Sequence, residues 1–352
     1  MQEIFSFYHY SPKRVRELER VAESLEQSLS HFGGIQNIRW VASQRKALQA
    51  LIRNYPATCS HLQMIAETSN RDSSKAIGLL RRLRSPKFLT LLHFMMDFTE
   101  VIGRLSEVFQ SDDLLMMEVI PSVESAMLAL VEMKASPGSN VSSLSTGDMY
   151  CGISLSGKVQ PVLDQLHIGL LDSGIEYIDS RFSALQAPPL SDFSVLNYRQ
   201  WPYHREELVH YGKPSIQRLV QQFAPVLTAE EVDSAPREWL DFKLIVSKLR
   251  TSCPRDVYRD MLIRPSRTVQ NFLPLIEIML SFSMSTAIVE RGFSSMNVVK
   301  AERRTQLGND TLNDLLEIKI NGPSLADFIP EEAISHWMNK GKGTRHVNGH
   351  KC

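Results

Sequence analysis

Few residues in this chain have the types and spacings that do chemistry. The most conspicuous carboxylate is Glu290, in the run VERGFSSMN, at the edge of an apolar stripe where Val289, Phe293 and Met296 recur at three- and four-residue spacing. A carboxylate is a side chain that can ligate a divalent metal. Two metals about 4 Å apart, however, must be clamped by several oxygens arriving from different elements, and one glutamate does not supply them. Two basic runs, RRLRSPK at 81–87 and KAERR at 300–304, the latter with Lys300, Arg303 and Arg304, could touch phosphate. A solvated helix face accounts for them as well, and the acids nearby favour it. The four cysteines, Cys59, Cys151, Cys253 and Cys352, form no Cys-x-x-Cys pair. His61 beside Cys59, and His204 with His210, lack metal-ligand spacing, so neither a zinc site nor a disulfide framework is expected. The chain carries no glycine-rich phosphate loop and no Gly-x-Ser-x-Gly turn.

Charge and composition narrow the classes further. The 39 Lys and Arg balance 39 Asp and Glu, so no net field draws the chain to nucleic acid or to an acidic membrane, and any DNA contact must be local. Hydrophobic content of 43% and charged content of 22% are those of a globular protein. At 352 residues the chain exceeds the size at which single cores divide, which implies one large or two closely packed units. No apolar run has the length of a signal peptide or a membrane span, and the separated cysteines fit a reducing compartment, so a soluble intracellular protein is expected.

The elements that must position these residues read mostly as helices. Ser11-Pro12 opens one as N-cap and first helical residue, with Val15, Leu18, Val21, Leu25 and Leu29 in period until Gly33-Gly34. Residues 35–41 read as a strand, the single strand expected here, and Ser43 caps a helix carrying Leu48, Leu51, Ile52 and Tyr55. Consecutive helices fill 56–136, punctuated by Pro86 and Pro121. Residues 136–157, rich in Ser and Gly, read as a flexible surface loop. A helix restarts at Val159 and runs to about Leu185, where Pro188-Pro189 stop it. Short helices follow, then an apolar helix over 269–282. The stretch 283–320 reads as two helices joined by a turn at Gly308-Asn309, with Gly308 just past the first helix and Leu312, Leu315, Leu316 and Ile320 along the second.

The run VERGFSSMN, followed by KAERRTQL and a leucine-rich helix, resembles the C-terminal signature of hAT-superfamily transposases and their domesticated relatives, especially the vertebrate zinc-finger-fused type. A second stretch, IRWVASQRKALQALI at 38–52, is similar to the Arg-Trp strand and following helix of that family. The resemblance covers most of the chain and is sharp at these two ends. It implies a ribonuclease-H-like core in which Glu290 matches the third carboxylate of an Asp-Asp-Glu triad that binds two metals. By the family layout the two aspartates would precede Met1, and Asp97, Asp112 and Asp113 stand in helical or loop contexts that do not fit those roles. Glu290 is therefore expected to be a vestige, held by local hydrogen bonds or by Arg291, Arg303 or Arg304. No cofactor is expected, with Mg²⁺ entering only if an upstream part restores the triad. Trp40, with Arg39 beside it, matches a family tryptophan that stacks on an unpaired base; a strand tryptophan packed between Ile38 and Val41 is the alternative.

In the family this C-terminal region associates two chains, which points to Phe293, Met296, Leu312, Leu315, Leu316, Ile318 and Ile320 as a dimerisation face. Periodicity alone also allows these residues to complete a monomer's core. The expectation is a mainly α protein: a partial ribonuclease-H-like remnant over 1–55, a large all-helical insertion over 56–255, a dimerisation hairpin region over 256–340, and a disordered tail over 341–352. The function implied is that of a transposon-derived, catalytically incomplete, nuclear protein, not an enzyme by itself, forming a homodimer or a heterodimer with a related chain. The alternatives are the C-terminal part of an active transposase whose first two aspartates lie outside this chain, and a helical scaffold for an unrelated protein.

Overall fold

Local chemistry starts the helices where it should. In the computed structural model, which describes residues 2–30, 40–68, 71–111, 113–285, 287–300 and 307–340, Ser11 caps α2 by accepting from the Arg14 amide at 3.4 Å, with Pro12 at the first position. The N-terminal part comprises α1 (Gln2–His9), α2 (Pro12–Ser24), α3 (Trp40–Arg53), α4 (Tyr55–Glu67), α5 (Ser73–Leu83) and α6 (Pro86–Phe109). Helix α2 stops at Ser24, earlier than periodicity predicts. Glu26 turns into the left-handed region (φ 55°), and the Gln27 amide closes back on the Ala22 carbonyl at 2.9 Å. Of the expected strand at 35–41, residues 35–39 lie outside the described residues, while Trp40 and Val41 are helical and open α3. Helix accounts for 73% of the described residues.

Helix α6 is apolar on more than one side over its 24 residues, and two cores form on it. Leu89, Leu92 and Met96 join Phe7, Leu51, Tyr55, Leu62 and Leu80 in the first. Phe94 and Leu105 join residues of α7 (Met116–Ala135) and α9 (Gln165–Gln186), among them Val123, Leu130, Leu171 and Ile178, in the second. The expected remnant over 1–55 thus shares one core with α4, α5 and part of α6.

The segment 136–157, expected to be a flexible loop, is instead structured. It holds α8 (Ser139–Ser142), β1 (Gly147–Tyr150) and most of β2 (Ile153–Val159), the two strands paired antiparallel around Cys151-Gly152, both at positive φ (47° and 78°). Buried Asp97 on α6 is the reason. Its carboxylate accepts from the Asn140 amide (2.9 Å), the Asn140 side chain (2.7 Å) and the Val141 amide (3.0 Å). His93, one turn earlier, bonds the Asn140 carbonyl (3.1 Å) and the Tyr150 hydroxyl (3.0 Å). Ser156 adds a backbone bond to the Arg84 carbonyl at 2.9 Å. Ser and Gly composition signals a turn-rich segment and says nothing about which distant carboxylate will hold it. Helix α9 begins at Gln165 rather than Val159, because Val159 ends β2 and Asp164 is the N-cap.

The third core is aromatic. It is built from α10 (Arg205–His210), α11 (Lys213–Phe223), α12 (Ala229–Val246), α13 (Pro254–Ile263) and α14 (Leu273–Ser281), with Trp201, Trp239, Phe242, Tyr258 and Phe272 at its centre. Trp239 and Phe272 stack with centroids 5.3 Å apart, and the Trp201 indole donates to the Val195 carbonyl at 2.6 Å. Residues 256–285, expected in the dimerisation region, belong to this core: Val257, Val269, Ile276 and Met279 are buried in it. Helix α14 spans only nine residues, since 265–272 are turns.

Lys243 is fully buried here. Its ammonium donates to the Leu208, Val209 and Tyr211 carbonyls at the end of α10 and lies 5.2 Å from the Trp239 ring. Those carbonyls are the orphaned acceptors of a helix C-terminus, for which a cation is the matching partner.

Two outcomes are expected. Asp97→Ala leaves buried amides of α8 without an acceptor and lowers stability by about 2–3 kcal/mol in denaturant unfolding, with amide protection lost first in 138–159. Gly138→Ala has a related effect, because a Cβ there overlaps the Asp97 carboxyl group. The second outcome concerns pH. Burial pushes Lys243 down to about 8 from its usual 10.5, so above pH 8 the unfolded chain holds a proton that the folded chain has released. Wild type therefore gains stability relative to Lys243→Met as pH rises from 8 to 10.5, by up to about 1.4 kcal/mol per pH unit. Unfolding midpoints of the pair at pH 7.5 and 9.5 measure it.

Candidate interaction surface

Residues 286–352 form a second compact unit, whose described helices are α15 (Ala287–Val299), α16 (Asn309–Asn321) and α17 (Pro330–Lys340). Helices α15 and α16 pack on each other as the expected hairpin. The join differs from expectation. Helix α15 ends at Val299, so Gly308 does not terminate it; it is the N-cap of α16, in extended backbone (φ −64°) that any residue can adopt.

The seam is narrow. Among the described residues of this unit only Leu312 is buried, with Met296, Leu315 and Leu316 half-buried. Val289, Phe293, Val298, Ile318, Ile320, Leu325, Phe328, Ile329, Ile334, Trp337 and Met338 are all between 48% and 97% exposed. Ile334, Trp337 and Met338 lie at three- and four-residue spacing on α17, an apolar stripe of an amphipathic helix. A soluble monomer does not normally leave this much large apolar surface in so short a segment. Of the seven side chains expected on a dimerisation face, Phe293, Ile318 and Ile320 are exposed, Met296, Leu315 and Leu316 are half-buried and Leu312 is buried.

The other expected site residues do not converge. Glu290 is exposed in the first turn of α15. Among the described residues no group of three or more His, Cys, Asp and Glu is arranged to hold a metal ion. Lys300 is exposed just after α15, its amide bonded to the Met296 carbonyl at 2.7 Å. Trp40 opens α3, while its side chain, Arg39, Arg303 and Arg304 lie outside the described residues, as does the tail 341–352. In the basic run at 81–87, Arg82 pairs with Glu3 at 2.5 Å on the surface. No described helix is long and apolar enough to cross a membrane. No protein-family model matches this chain, and no solved structure does either.

Sequence reasoning missed a buried polar cluster. His61, dismissed as a zinc ligand, is 2% exposed; its Nδ1 meets the Tyr8 hydroxyl at 3.2 Å and its Nε2 faces the Glu17 carboxylate at 3.5 Å. Burial pushes its pKa down, outweighing the carboxylate. No local signal could reveal it, because the three residues are brought together from α1, α2 and α4.

Exposure separates the hairpin's roles by mutation. Leu312→Ala removes buried methyls and lowers the stability of 287–321 by about 2–3 kcal/mol, whereas Ile318→Ala changes it by less than about 0.5 kcal/mol. Amide exchange in α15 and α16 at concentrations low enough to keep the chain monomeric distinguishes them.

Proposed function

We propose that this protein works by self-association, a second copy of the chain covering the exposed apolar residues of 287–338, and that it descends from a transposase of hAT type whose ribonuclease-H-like core it keeps in part. The observation that carries the reading is the second unit's lack of an interior: three helices with one buried side chain among the described residues, and large apolar side chains outward on each. Short isolated helices are marginal in water and draw their stability from packing. A unit of this kind is completed by a partner surface.

A second copy meets the requirement directly. In a two-fold pair the same patch faces itself, so each exposed apolar residue finds another. Both signs of charge also flank the patch. Asp310, Asp314 and Glu317 lie on α16 with Lys319, Glu331 and Glu332 open α17, and Arg291 and Lys300 lie on or just after α15. Such a rim can pair across a dyad and fix the register. The resemblance of VERGFSSMN and the helices after it to the hAT C-terminal region supports the same reading, and with it a nuclear site of action.

Phe293→Asp with Ile318→Asp tests it. Both side chains are exposed, so the fold of the single chain tolerates the change, while a carboxylate placed in an apolar interface costs about 2–3 kcal/mol, a loss of roughly 30- to 150-fold in affinity. Sedimentation velocity over rising concentration is expected to show the wild-type chain doubling in mass and the double variant remaining single. A wild-type chain that stays monomeric throughout sinks the reading, as does an undiminished dimer of the variant.

A further inference from the structure

Helix α7 is apolar on two sides, and the first unit covers one of them. Val119, Val123, Ala126, Leu130 and Met133 are buried against α6 and α9. The opposite side carries Glu124, Leu128, Val131, Glu132 and Ala135 at three- and four-residue spacing, all exposed, Leu128 at 68% and Val131 at 49%. A helix with a second apolar stripe has a second surface to cover. This row runs for about 16 Å, three helical turns.

Helix α9 sets a row of acids beside it. The Lys134 ammonium meets the Asp172 carboxylate at 2.5 Å, and Leu115 and Met117 at the start of α7 share a core with Phe193 and Leu196, just past the end of α9. The two helices are therefore antiparallel, and Glu176 and Asp179, one and two turns beyond Asp172, come alongside Val131 and Leu128. Both acids are exposed, as are Glu124 and Glu132, and none of the four is in an ion pair with a described residue. Lys134 is the one cation among the side chains of these two rows, and Asp172 already neutralises it.

An apolar strip edged by uncompensated carboxylates fits an amphipathic helix with lysine or arginine along its flank. The chain's own exposed apolar helices do not match it. Helices α16 and α17 together bear five carboxylates and two lysines, so a second copy would bring like charge to the acid row.

We propose that the α7–α9 face binds a basic amphipathic helix of another protein, its apolar stripe on Leu128, Val131 and Ala135 and its cations toward Glu132, Glu176 and Asp179. Apolar contact supplies affinity, and the acid row sets orientation and rejects acidic helices. The site is independent of self-association.

Fluorescence anisotropy of the full chain with a labelled leucine-lysine peptide, patterned as one amphipathic helix, tests this, with the leucine-glutamate peptide of the same pattern as its match. Saturable binding of the lysine peptide at least tenfold tighter than the glutamate peptide is expected. Leu128→Asn weakens it about tenfold, and Glu176→Lys with Asp179→Lys weakens it at least as much. Glu206→Lys with Glu207→Lys, the same change of charge on α10, leaves it unaltered, and so does Phe293→Asp with Ile318→Asp. The proposal is overturned if the lysine peptide does not bind saturably, if the glutamate peptide binds equally well, or if the α10 charge reversal weakens binding as much as the α9 reversal. It is overturned too if neither Leu128→Asn nor the α9 reversal alters binding in a chain whose circular dichroism matches wild type. A fall in the chain's own mass in sedimentation velocity on Leu128→Asn would assign the face to a second copy instead, and also overturns it.

Discussion

Helix α6 has to bury two faces at once, and the first unit is arranged to let it. Between Phe88 and Phe98 eight of eleven positions are large and apolar, so no orientation of this helix keeps one side in water without exposing large side chains. The N-terminal helices cover one side and α7 with α9 the other, giving two cores on one rod. A polar group inside such a rod must be satisfied internally, and Asp97 and His93 are, by α8 and the strand hairpin. The same constraint that buries α6 thereby orders a segment with almost no core of its own.

Buried charge follows one logic elsewhere in the unit. Asp192, 3% exposed, is held by Arg218 through two bonds of 2.9 and 2.5 Å, and Lys243 is surrounded by carbonyl oxygens at a helix end. Each buried ion has its acceptors or donors in place, as desolvation requires. Buried His61 obeys the same rule, its Nδ1 against the Tyr8 hydroxyl and its Nε2 against the Glu17 carboxylate.

The second unit obeys a different balance. Its helices bury one side chain among the described residues and leave a series of leucine-sized and aromatic groups in water, so its stability has to be drawn from something it covers. In the proposed self-association the patch needs no further component, and the charges of both signs around it would set orientation rather than strength.

Helix character was legible in the sequence wherever a local rule decided it. Ser11-Pro12 started α2 as cap and first residue, and periodicity placed the apolar stripes of α15 and α16. The end of α2 and the capping role of Gly308, though local, carried no distinctive residue signal, and the order within 136–159 was not legible because its partners Asp97 and His93 stand far away on α6. The site divided in the same way. That Phe293, Ile318 and Ile320 lie on apolar helix faces was set by spacing; that they are exposed while Leu312 is buried was decided by how α15 meets α16. His61 and Glu17 stand 44 positions apart, and only the packing of α4 on α2 brings them together. Local sequence determines where a helix can form and which side is greasy, because those preferences act within a turn or two. Which face is covered, and which polar groups meet, is decided by tertiary packing, because burial and pairing energies belong to contacts between elements and not to any one of them.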